Sequence, residues 1–199
     1  MIMVRVLLIF VTVAAAAGVS AQTRKIEPVE VRCPSVLGVG LATDVPFCDI
    51  QVQRDPSLGI LVILPRHQGE ATLSFSLHNR HTYSEQEERS GRAYTQYLAS
   101  IAVATMEGEV LGRGVVLSEF RSAADLVDRI TGGTGPRGVK AIAPTGSERV
   151  YISVPSGVDE VSIVGQSLEV VRADTRDTFR SVGRPVAVLS DAQIEHRPR

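Results

Sequence analysis

His78 and His81, followed by Glu85, Glu87 and Glu88, are the residues whose types and spacing come nearest to a site of chemistry. Imidazole nitrogens and carboxylate oxygens together suit zinc or copper. A separation of three is odd, so on one continuous strand the two imidazoles point to opposite faces. A turn starting at His78 could bring them together, and otherwise both read as solvated residues at a strand end. A metal carrier or metal-dependent hydrolase using His78, His81 and Glu85 is therefore the alternative reading, and no cofactor is assigned. H-E-x-x-H does not occur.

Other reactive patterns have simpler explanations. Gly133-x-Gly135-x-x-Gly138 spells the dinucleotide-binding glycine pattern. That motif needs a strand before it and a helix after it, so that the pyrophosphate meets helix amides. Here the order reads helix then strand, with Pro136 inside, and a flexible connection is expected. Asp174 and Asp177 are flanked by Arg172, Arg176 and Arg180, which repel a calcium ion and pair with the acids in a salt-laced turn. G-x-S-x-G is absent, leaving only the general possibility that His67, His78 or His81 meets a serine through folding. A chain without tryptophan also lacks the commonest stacking surface for sugars. The expected function is non-catalytic.

The better local signal is for recognition. Tyr83, Tyr94 and Tyr97 bracket a charged stretch, Asn79 to Arg92, between apolar strands. Loops of this length are uncommon and often functional, and tyrosine and arginine are favoured at interfaces. Arg80, His81, Tyr83, Arg89 and Arg92 are the expected contacts with a protein partner.

The elements that must position these residues are mostly strands. Leu73, Phe75 and Leu77 alternate with Thr72, Ser74 and Ser76, and Val150, Ile152 and Val154 alternate with Arg149, Tyr151 and Ser153. Ile60 to Leu64 is apolar on both faces, as in a central strand. Further strands are expected at 29–32, 50–53, 97–105, 110–117, 138–143, 160–164, 167–172 and 185–189. Short strands between Gly, Pro, Asp and Ser clusters predict an all-β protein, an antiparallel β-sandwich immunoglobulin-like in general architecture. One short crossover helix is expected near 122–130. There Ser122 and Asp125 have capping-box spacing, Leu126, Val127 and Ile130 share a helical face, and Gly132-Gly133 ends it. A boundary near 131–137 would give the two-domain alternative.

The N-terminus bears on location. Arg5, a predominantly apolar run from Val6 to Ala17 and the small residues Val19-Ser20-Ala21 have the layout of a secretory signal peptide over 1–21. No later segment is apolar for eighteen residues, so no membrane span is expected after cleavage. Cys33 and Cys48, the only cysteines, are expected to form a disulfide in an oxidising compartment. They lie in an N-terminal segment, 22–56, ahead of a sandwich body over 57–190 and a polar, fraying tail over 191–199. Arginine outnumbers lysine 19 to 2, yet the net charge is −1 and the arginines are dispersed, which argues against nucleic acid. The skew fits a GC-rich, bacterial coding sequence. The expectation is an exported binding or structural module, periplasmic or extracellular, contacting another envelope or secreted protein.

Overall fold

A computed structural model describes residues 23–135 and 138–199. The signal segment expected over 1–21 lies outside them. Burial along the chain has a period of two, because alternate residues of a strand face opposite sides. Among the described residues thirteen strands form: β1 (Lys25–Pro28), β2 (Glu30–Arg32), β3 (Val36–Val39), β4 (Pro46–Gln51), β5 (Ile60–Ile63), β6 (Ala71–Ser84), β7 (Thr95–Thr105), β8 (Val110–Phe120), β9 (Thr131–Gly135), β10 (Gly138–Val154), β11 (Glu160–Val171), β12 (Arg176–Phe179) and β13 (Pro185–His196). One helix, α1 (Glu85–Arg89), follows β6.

The protein is a β-sandwich of two antiparallel sheets. One runs β3-β4-β13-β6-β10-β9, with β1 also on β13, and the other runs β2-β5-β11-β7-β8, with β12 also on β11. Leu73, Phe75 and Leu77 of β6 meet Ile101 and Val103 of β7 and Ile163 of β11 in one core, all fully buried. The Cys33–Cys48 disulfide is formed, with Cα atoms 5.9 Å apart. It ties the end of β2 in one sheet to β4 in the other.

Several elements are longer than their sequence signals. The segments expected at 138–143 and around 150–154 are one strand, β10, in which Pro144 is paired opposite Arg80 and a bulge falls between Thr145 and Glu148. Those at 160–164 and 167–172 are likewise one strand, β11, with a register shift at Gly165. Of the glycine-rich connection expected at 131–138, the described residues Thr131–Gly135 and Gly138 belong to the β9–β10 pairing. The tail expected to fray from Asp191 is the second half of β13. Ile194 and His196 are buried there, the strand pairs with β1 and β6, and His196 Nε2 lies 2.7 Å from Glu27 Oε1.

The helix expected near 122–130 is a single 3-10 turn, Ala123–Asp125. The capping box forms as read: the Ser122 hydroxyl accepts from Ala124 N–H, and Asp125 accepts from Ser122 N–H. Leu126 then turns extended, and the Val127 and Ile130 amides donate to the Pro144 and Ile142 carbonyls. Continuing beside β10 lets Ile130 join Phe47 and Val188 in a small second core on the outer face of the sheet. Asp128 anchors this layer by accepting from the Ala42 and Thr43 amides and the Thr43 hydroxyl.

Candidate functional site

The site is built around the second half of β6. The alternation begun by Leu73, Phe75 and Leu77 continues through Asn79, His81 and Tyr83, all buried, so Asn79–Ser84 is strand and not loop. The charged connection shrinks to α1 and the residues up to Ala93. Sequence periodicity lost this continuation because its inward positions are polar or aromatic.

Parity separates the two histidines. His78 faces the outer side of its sheet, where Nδ1–H donates to the Gly146 carbonyl at 2.7 Å and Nε2 sits 2.8 Å from Ser190 Oγ. Burial holds its pKa below the usual histidine value, against the pull of that carbonyl. The neutral ring therefore accepts from Ser190. This is the geometry of a nucleophile beside a base, but both side chains are buried, and Phe47 packs edge-on against the His78 ring. Neither lines the cleft beside His81 or the smaller cavity against Ala102.

His81 faces inward. Its Nδ1 shares a 2.7 Å hydrogen bond with the Tyr97 hydroxyl, and its ring stacks on Phe120 with centroids 3.8 Å apart. Burial, reinforced by the Arg172 charge, pushes its pKa down to about 4, so the imidazole is neutral at physiological pH. Burial likewise pushes the Tyr97 phenol up. Glu85 starts α1, and among the described residues no three His, Cys, Asp or Glu side chains come together. The structure does not gather His78, His81 and Glu85 into one site.

His81 and Tyr97 line a cleft of about 890 Å³ between the sheets. Leu168, Val170 and Phe179 add apolar lining from β11 and β12. Arg80, Arg92, Arg172 and Arg184 supply four positive charges against the two carboxylates of Glu87 and Asp174. Arg80 Nε donates to Asp49 Oδ1 at 3.0 Å, and Arg184 lies over the Phe179 ring at 4.3 Å. Among the described residues, Arg92 and Arg172 form no ion pair. The smaller cavity, of about 300 Å³, lies against Ala102, Ala104 and Val164.

Of the expected contact residues, Arg80, His81 and Arg92 meet in the large cleft, and Tyr83 and Arg89 do not. Tyr83 is buried, its hydroxyl donates to Glu88 at 2.7 Å, and Arg129 covers its ring at 4.3 Å. Arg89 is exposed at the end of α1. Sequence reading missed Arg184 and assigned Arg172 to a salt-laced turn. There Arg176 pairs with Glu169 instead, which leaves Arg172 facing the cleft. No local spacing links Arg80 to Arg172 or Arg184, since pairing of distant strands brings them together.

No protein-family model and no curated protein matches the chain. Among solved structures, the VP2 subviral particle of infectious bursal disease virus is similar at 14% identity, over 94% of this chain and 46% of that one, with a TM-score of 0.19. The chain thus spans under half of that protein's length, and a likeness at this level carries no argument about function.

Proposed function

We propose that this chain is an exported, non-catalytic binding module that takes an acidic segment of a partner protein into the arginine-rimmed cleft. The observation that carries the reading is the pair Arg92 and Arg172, two guanidinium groups at the cleft without ion partners among the described residues. Guanidinium forks match carboxylates in two-point hydrogen bonding, and the apolar lining of Leu168, Val170 and Phe179 suits the side chains between acids. Because His81 is neutral, the cleft floor offers a polar but uncharged surface. Export is supported by the signal-like 1–21 layout and by the disulfide; among the described residues no helix is long and apolar enough to cross a membrane.

The test measures fluorescence anisotropy with paired peptides, each acidic sequence beside its Glu→Gln and Asp→Asn counterpart. Acidic members should bind in a salt-sensitive way, and Arg172→Glu should weaken them by about tenfold or more. Equal binding of both members of each pair, or indifference to Arg172→Glu in a folded variant, would overturn the reading.

A further inference from the structure

The edge of the second sheet suggests a second copy of this chain as its partner. β8 is eleven residues long and its only strand partner among the described residues is β7. Asn79 Nδ2 lies within reach of both the Tyr97 and Val116 carbonyls, at 3.5 and 3.3 Å. Both carbonyls therefore sit in the β7–β8 ladder. Backbone polar groups alternate sides along a strand, so those of Arg113, Val115, Leu117 and Glu119 point to the open edge. A long unpaired edge is a template for strand addition, and β8 contains no proline to block it.

The side chains of these four residues also share one face. Val115 and Leu117 are 52% and 56% exposed, and Leu98, opposite Leu117 on β7, is 40% exposed. Read along the strand, the row is positive, apolar, apolar, negative. Such a row is complementary to itself when reversed. We infer that β8 pairs antiparallel with β8 of a second copy about a two-fold axis at Val116. That register sets Val115 against Leu117 and Arg113 against Glu119, each twice. It extends the row of Leu98 and Leu117 onto Val115 of the second copy. Arg121, which already pairs with Glu119, lies beyond the last of these charge pairs.

Charge reversal tests the register directly, because it distinguishes self-pairing from general stickiness. Sedimentation velocity over a wide concentration range should show a monomer–dimer equilibrium. Arg113→Glu and Glu119→Arg alone each place like charges across the axis and should weaken the dimer about tenfold or more, whereas the double reversal should restore it. Val115→Pro removes an edge donor without touching the β7 ladder and should give a monomer. Monomer at every concentration, single reversals that change nothing, or a folded double reversal that stays monomeric would each overturn the inference.

Discussion

The side-chain amide of Asn79, in one sheet, donates to the hydroxyl of Ser118, in the other, at 2.8 Å. The chain's only asparagine is thus a polar tie between the sheets, as is the neighbouring His81–Tyr97 hydrogen bond. It also holds the two layers in register where the core gives way to the cleft.

Asn79→Asp replaces the amide donor by an oxygen that faces the Tyr97 and Val116 carbonyls. An uncompensated buried charge there should destabilise the fold by about 3–5 kcal/mol, against about 1–3 kcal/mol for Asn79→Ala. Urea unfolding of the two variants beside the natural chain checks the ranking.

Lowering the pH should weaken the fold through its buried histidines. His81 moves from the ordinary 6.5 down to about 4, and His78 moves in the same direction. Between those pH values the unfolded chain binds a proton that folded His81 refuses, so stability rises with pH across that window and the contribution is lost on acidification. For His81 the difference comes to about 3 kcal/mol at 1.36 kcal/mol per unit. His81→Phe, which preserves the stack on Phe120, should flatten the dependence of unfolding midpoint on pH without abolishing the part due to His78.

Reducing the disulfide, or replacing Cys33 and Cys48 by serine, opens a link spanning 15 residues. In the chain-entropy picture the loss is about 3 kcal/mol. Denaturant curves with and without reductant should differ by that amount in the natural chain and by nothing in the double variant.

Asp49 is buried beside Arg80, and burial raises its carboxyl above the usual aspartate value although Arg80 opposes this. Its own contribution therefore has the opposite sign to that of the histidines: it is present at low pH and lost as pH rises through the raised value. Arg80→Ala strands the carboxylate and should destabilise the protein by about 1–3 kcal/mol at neutral pH, less than a fully buried pair because Arg80 reaches solvent. Adding Asp49→Asn should recover most of that loss. A double-mutant cycle measures the coupling.

The sandwich was legible because Leu73, Phe75 and Leu77, and Val150, Ile152 and Val154, repeat with period two against polar neighbours. Legibility failed where inward positions stopped being aliphatic. Asn79, His81 and Tyr83 keep the alternation of burial without its hydrophobic signature, so a strand looked like a loop. Pro144 and Gly146 hid the continuity of β10 in a related way: Pro144 stays paired opposite Arg80, and Gly146 falls in the bulge that follows. The cap at Ser122 was readable because it is local. The extended path from Leu126 to Ile130 was not, since packing of Ile130 beside Phe47 overrode the helical spacing. Half of the cleft's arginines, Arg80 and Arg92, lay in the segment singled out by sequence. Arg172 and Arg184 arrive only through the placement of β11, β12 and β13.

β13 fills the slot between β4 and β6, so the first sheet stays split until residues 185–196 are in hand. A chain without those residues lacks the strand that joins its halves, and loop closure over such separations is slow. Docking of that strand is thus the step that commits the first sheet to its native order.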